Sequence, residues 1–232
     1  MPSLARNNEF RDSLPHIAPS LLLCDFGRLA EEVQAVEAAG AKCLHLDVMD
    51  GIFVPNITYG MPIVRAVRAA SQLPIDVHLM IANPARYIDE FVEAGADSLT
   101  IHVEAVDDPL PILKQIRSCG VSAGLAINPS TPLQSAEAAL GECDLILAMS
   151  VEPGFGAQKF DPVALEKLQE LRRRVPSETL LEIDGGVNVD TVARCAAAGA
   201  QLLVVGSAIF RRKDASYAES LLELTQLAHA AV

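Results

Sequence analysis

Three stretches, AAGAKCLHLDV at 38–48, EAGADSLTIHV at 93–103 and AAGAQLLVVGS at 197–207, share one grammar. In each, a helix-like run stops at a glycine suited to the position just past a helix end, and an apolar run follows at once. RSCGVSAGLAI at 117–127 is a looser copy. The runs ahead of the first two carry apolar residues at helical spacing: Leu29, Val33 and Val36, then Tyr87, Ile88, Phe91 and Val92.

Working outward, the remaining apolar runs complete eight strand candidates, near 16–22, 42–48, 74–80, 98–103, 121–127, 144–150, 179–184 and 202–206. A helical stretch follows each, at about 27–39, 60–70, 84–94, 108–118, 132–140, 162–174, 189–198 and 214–229. Runs such as LILAM and LLVV are apolar throughout, as parallel strands buried on both faces require. Eight units in 232 residues leave about 29 residues each, which suits an α/β fold closed as a single (β/α)8 TIM barrel. The expected organisation is a short N-terminal extension over 1–15 and one barrel domain over 16–232.

Composition narrows the function. Half of the chain is apolar, and 18 Lys and Arg face 30 Asp and Glu, for a net charge of −12. An acidic chain lacks the basic face that nucleic acid needs, so a phosphorylated ligand must be held by backbone N–H groups or a metal. The apolar stretch from Leu202 to Phe210 is about half the ~18–20 residues of a spanning helix, so no membrane segment is expected. The N-terminus has no apolar signal region, and the five cysteines contain no C-x-x-C pair. They read as reduced thiols of a cytoplasmic protein.

Catalytic groups of such barrels sit at the C-terminal strand ends. Those ends here carry Ser20, His45 with Asp47, His78, His102, Asn128, Ser150, Asp184, and Gly206 with Ser207. His45 and Asp47 are two residues apart and so share the inward face, as do Glu182 and Asp184. One histidine at a strand end is ordinarily a hydrogen-bonded structural residue, and His102, two residues from Glu104, is read that way; His16 and His229 are read as bystanders. Two histidines and two aspartates at one mouth differ, because each buried ionised carboxylate costs several kcal/mol unless paired or metal-bound. A divalent cation held by His45, Asp47, His78 and Asp184 balances that charge.

Glycines form the second feature: Gly154-Phe155-Gly156 after the sixth run, Asp184-Gly185-Gly186 at the seventh and Gly206-Ser207 at the eighth. Loops after strands seven and eight with a helix N-terminus form the recurring phosphate site of barrels, where glycine lets the backbone approach the ligand.

HLDVMDGIFVPNITYG at 45–60, DVHLMIANP at 76–84, MSVEPGFGAQKF at 149–160, EIDGGVN at 182–188 and VGSAIF at 205–210 together resemble the ribulose-phosphate 3-epimerases, in that family's order, from about His16 to Arg211. The resemblance implies a barrel of the ribulose-phosphate-binding type and an isomerase of carbohydrate metabolism. It would interconvert D-ribulose 5-phosphate and D-xylulose 5-phosphate through an enediolate. It implies His45, Asp47, His78 and Asp184 as ligands of one divalent ion per subunit (zinc, iron(II), manganese or cobalt), with no organic cofactor. Asp47 would accept the carbon 3 proton and Asp184 donate one on the other face. Substrate contacts would be Ser20, His45, Met49, His78, Met80, Gly154, Phe155, Gly156, Ala157, Asp184, Gly185, Gly186, Gly206 and Ser207. The expected partners are the pentulose phosphate and further copies of the chain in a homo-oligomer.

One position departs from the pattern. The family usually reads G-F-G-G where Ala157 stands here, which tells against phosphate affinity if φ must be positive there. Three other readings compete. An allulose-6-phosphate 3-epimerase would differ only in pocket length. A metal-free decarboxylase or lyase has no need of two histidines and two aspartates. A non-catalytic phosphosugar-binding protein should have lost an acid or base, and none is missing.

Overall fold

The computed structural model describes residues 4–232. Eight strands form one parallel sheet: β1 (His16–Pro19), β2 (Leu44–Met49), β3 (Ile75–Met80), β4 (Ser98–His102), β5 (Ser122–Ile127), β6 (Leu145–Met149), β7 (Leu180–Asp184) and β8 (Leu202–Val205). Their order is β1-β8-β7-β6-β5-β4-β3-β2, and a parallel bridge between Ser20 and His45 joins the two ends. The sheet therefore curls into a nearly closed barrel, as the eightfold pattern predicts. Strand residues alternate between the lumen and the surrounding helices, so Leu44, Leu46 and Val48 pack outward while His45, Asp47 and Met49 turn inward.

The helices are α1 (Asn8–Arg11), α2 (Leu29–Ala38), α3 (Met61–Ala70), α4 (Ile88–Ala94), α5 (Leu110–Ser118), α6 (Val163–Arg174), α7 (Val192–Ala197), α8 (Ser207–Phe210) and α9 (Tyr217–His229), and α2 to α7 and α9 wrap the outside. The repeating glycines do what their position implies. Gly40, Gly95, Gly120 and Gly199 take φ of 101°, 110°, 85° and 108°, a left-handed turn that drops the chain from a helix into the next strand.

Several elements differ from the periodicity. The stretch expected as a helix at 132–140 is a run of 3-10 turns over Leu133–Glu142. Its inward face is Leu133, Ala136, Ala139 and Leu140, all buried. The first run stops at Pro19, because the Ser20 side chain accepts the Leu22 N–H and starts a turn over Leu21–Leu23. The seventh helix begins at Val192, after a turn in which Asn188 N–H donates to Thr191 Oγ1. The last helical stretch, expected at 214–229, is α9, started by a capping box between Ser216 and Glu219, and the four-residue α8 ahead of it lies outside every expected helix.

The lumen is divided. Leu145, Leu147, Leu180, Leu202 and Val204 form an apolar side, and Leu4, Ala5 and Phe10 pack against it from the chain's beginning. The Ala5 N–H donates to Ser122 Oγ at 2.9 Å, and His16, the first residue of β1, bonds the Phe10 carbonyl at 2.8 Å. The other side is polar, with His45, Asp76, Ser98, Thr100 and Glu182 all buried. Among the described residues, no helix is long and apolar enough to cross a membrane.

Candidate active site

Four polar side chains meet at the C-terminal end of the polar side. His45 and Asp47 lie two residues apart on β2, and the β2–β3 register sets Asp47 opposite His78. Asp184 ends β7, three strands away from β2 around the barrel. One ligand atom from each of the four lies within 4.8 Å of all the others.

Asp47 is the hub. Its Oδ1 is 3.3 Å from His45 Nε2 and 3.2 Å from His78 Nδ1, and Asp184 Oδ2 lies 4.0 Å from that same His78 nitrogen. Its Oδ2 accepts the Ser20 hydroxyl at 2.6 Å. The backbone around it is pinned as well: the Asp47 N–H donates to Tyr59 Oη, and Thr58 Oγ1 donates to the Asp47 carbonyl.

Each imidazole turns one nitrogen into this cluster and the other outward to a protein partner. His45 Nδ1 lies 2.7 Å from Asp76 Oδ2 and 3.3 Å from Glu182 Oε1. His78 Nε2 lies 2.8 Å from His102 Nε2. Two inward nitrogens and two carboxylates within one small sphere are a donor set that can hold a metal ion, and the carboxylates offset a 2+ charge.

The protein's own electrostatics split the two aspartates. Burial opposes ionisation of Asp47, but the facing His45 and His78 outweigh it and hold that carboxyl well below its ordinary range. Burial and the Asp47 charge push Asp184 up to about 7. Burial takes His78 down to about 4, which keeps it neutral, whereas His45 is driven upward because Asp47, Asp76 and Glu182 outweigh its burial. Burial and the charge of Asp76 push Glu182 up to about 8. The protein's own groups thus hold one carboxylate of the mouth ionised and raise the other, a split of the kind that acid–base chemistry uses.

Above the cluster opens a cleft. Asp47 and Asp184 reach it from below, Met49, Met80 and Met149 supply apolar walls, and Gly154 to Ala157, Gly185, Gly186, Gly206 and Ser207 form the far rim. No lysine or arginine lines it among the described residues. Every expected substrate contact lies on this cleft except His45 and His78, which are wholly buried beneath its floor.

The rim is built by cross-loop bonds. Asn56 Nδ2 donates to the Gly154 carbonyl at 2.7 Å, and Gln158 Nε2 donates to the carbonyls of Glu152 and Phe155. A Cβ on Gly186 would come within 2.8 Å of the Phe160 nitrogen, so only glycine lets the β7 loop lie against the β6 loop. Ala157 has φ of 60°, the one left-handed residue besides glycine among those described. Helix α8 has only four residues, so it offers backbone N–H groups more than a dipole.

Asp76, Met149 and the contact between His102 and His78 lie outside the sequence reading of the site. Inward parity marks all three: Asp76 precedes His78 by two residues, Met149 ends β6, and His102 ends β4.

The family model described as ribulose-phosphate 3 epimerase matches residues 16–210. The chain belongs to this family. Similar proteins include the ribulose-phosphate 3-epimerase of Bacillus subtilis, 48% identical over 202 residues that cover 85% of this chain and 93% of that protein. Those of Mycobacterium tuberculosis H37Rv, 46% identical (90% and 91% covered), and of Synechocystis, 47% identical (88% and 90%), are comparably similar. Among solved structures, the orotidine 5'-phosphate decarboxylase of Pyrococcus horikoshii superposes with a TM-score of 0.65 at 16% identity, covering 92% of this chain and 99% of that one. A tryptophan synthase alpha-subunit from Pyrococcus furiosus gives 0.65 at 18%, covering 94% and 98%. At such identities, what is shared is the barrel.

Proposed function

We propose that this family member interconverts D-ribulose 5-phosphate and D-xylulose 5-phosphate, with Asp47 and Asp184 exchanging the carbon 3 proton on opposite faces. The observation that carries this reading is the pair of carboxylates, Asp47 from β2 and Asp184 from β7, that meet at one cleft floor. Epimerisation beside a ketone needs two such groups, each serving one face of a flattened enediolate.

The residues divide the work. Ser20 holds Asp47 Oδ2 toward the cleft while Oδ1 stays with the imidazoles. Asp184, partly exposed, is placed to return a proton from the β7 side. The three methionines exclude water from the reacting carbon without offering a competing base. Backbone N–H groups of the glycine-rich rim bind the phosphate, in keeping with the lack of a cationic side chain there. His45, Asp47, His78 and Asp184 would hold one divalent ion, of zinc, iron(II), manganese or cobalt, which when bound supplies Lewis-acid stabilisation of negative charge on substrate oxygen. The five cysteines are all free, which supports a reducing, cytoplasmic setting. Assembly as a homo-oligomer belongs to the same reading and is tested by light scattering.

The test is turnover of ribulose 5-phosphate and allulose 6-phosphate by purified protein whose metal content is measured in the same sample. Preference for the pentulose, loss of turnover on chelation with unchanged circular dichroism, and recovery with a divalent ion are expected. Full activity of metal-free protein overturns the metal assignment, and preference for the hexulose overturns the substrate.

A further inference from the structure

We propose that His102 and Glu104 are positioning residues that lock His78 in the tautomer able to bind a metal. Nothing in the acid–base scheme above uses them, yet they form a directed chain from the candidate metal cluster to the rim of the barrel. His78 Nδ1 faces Asp47 Oδ1 at 3.2 Å, His78 Nε2 meets His102 Nε2 at 2.8 Å, and His102 Nδ1 meets Glu104 Oε2 at 3.1 Å. His78 and His102 are both wholly buried, and Phe53 packs on the His102 ring with centroids 4.9 Å apart.

Once a cation takes the place of the proton that would otherwise lie between His78 Nδ1 and Asp47 Oδ1, counting protons along this chain leaves little choice. Two imidazole nitrogens 2.8 Å apart must share one proton, one donating and one accepting. Glu104 accepts the Asn128 N–H at its other oxygen, at 2.8 Å, and is an ionised acceptor. It therefore requires the His102 proton on Nδ1. In a neutral His102 ring Nε2 is then a bare acceptor, so His78 carries its proton on Nε2, and His78 Nδ1 is left with a free lone pair aimed at the cluster. The opposite tautomer would set the His102 Nδ1 lone pair against a carboxylate and put a proton on His78 Nδ1, where it would be donated to Asp47 and block a cation. The second histidine relays the preference of a carboxylate too distant to touch His78 itself.

This inference rests on the proposed metal site, and the test separates the two. The affinity of the full-length protein for Zn²⁺ is measured by competition with a chromophoric chelator, and Co²⁺ is used for the visible spectrum of the site. His102→Leu removes the acceptor and is expected to weaken Zn²⁺ binding by about 10–100-fold, the usual effect of losing such a partner. His102→Gln puts back a carbonyl acceptor and should recover most of that loss. Glu104→Gln, at a partly exposed residue, should weaken binding in the same direction by a smaller factor, and it serves if His102→Leu does not fold. In zinc-loaded wild type, imidazole ¹⁵N shifts should show His78 protonated at Nε2. Wild-type affinity in His102→Leu and Glu104→Gln overturns the positioning role and leaves the metal site standing. Equal losses in His102→Leu and His102→Gln overturn it too, since packing rather than the acceptor would then matter. Failure of wild type to bind either ion, or binding that survives His78→Ala unchanged, overturns the metal site and the inference with it.

Discussion

The hydroxyl of Ser20 donates to Asp47 Oδ2 at 2.6 Å, while the other oxygen of the same carboxylate, Oδ1, lies between His45 and His78. Asp47 thus has two separate ends, one turned to the candidate metal cluster and one held at the cleft. A carboxylate that bound a cation through both oxygens would be a poor base. The Ser20 bond keeps one oxygen out of that role, and the bridge between Ser20 and His45 that closes the barrel fixes its position.

Ser20→Ala should leave metal content unchanged and lower kcat/KM by about 10–100-fold, the worth of one hydrogen bond to a charged group at ~1.5–3 kcal/mol. Steady-state kinetics with metal analysis check this. A variant that turns over normally would show that Asp47 needs no such restraint.

Asp184→Asn keeps the shape and one carbonyl oxygen for a cation but removes the donor on the β7 side. Epimerisation should fall to a small fraction of the wild-type rate. In heavy water, exchange of the carbon 3 proton should persist for the one epimer that Asp47 reaches, and Asp47→Asn should show the opposite preference. NMR of each sugar phosphate reads this in variants shown to retain their metal. Near wild-type epimerisation by both would require a one-base or water-mediated route.

Ala157 adopts φ of 60°, a region that costs an L-residue about 1–2 kcal/mol. Ala157→Gly removes that strain at the phosphate-side rim, so it should escape the usual ~1 kcal/mol penalty of an Ala-to-Gly change and lower KM for the phosphorylated sugar. Ala157→Val, branched at Cβ, should do the reverse. Thermal unfolding and KM for the three proteins decide it, and a clear destabilisation by glycine would count against the strain.

His16 offers a pH prediction far from the cleft. Burial lowers its pKa from 6.5, opposed by its bond to the Phe10 carbonyl, with Lys42 and His229 adding to the lowering. Above 6.5 the ring is neutral in both folded and unfolded chains and stability does not depend on it. Below 6.5 the unfolded chain takes up a proton that the folded protein resists, so stability falls with pH until the lowered folded pKa is passed, by at most about 1.4 kcal/mol per pH unit. His16→Gln keeps a donor for Phe10 and cannot titrate, so its urea midpoint should fall less steeply from pH 6.5 to 5. Identical slopes would mean that His16 titrates as a free histidine.

By itself the sequence determined the barrel and the face on which each polar residue lies. Both are periodic signals: a glycine past four of the helices, an apolar run after it, and a parity of two that puts His45 with Asp47 and Glu182 with Asp184 inside. Conformational preference and alternation act over a few neighbouring residues, so they can be read without knowing the partner strand. The tertiary structure alone decided what each inward group touches. Asp47 stands beside His78 because the β2–β3 register pairs them. Asp76 backs His45, and His102 reaches His78 across β3 and β4. The closing bridge gives Asp47 its serine, and the imidazoles sink below the cleft instead of lining it. Ala157 is left-handed in a loop that Asn56 and Gln158 bind at the carbonyls of Gly154 and Phe155. These contacts join residues tens of positions apart, and their distances follow from strand register and barrel closure, which no local pattern in the chain encodes.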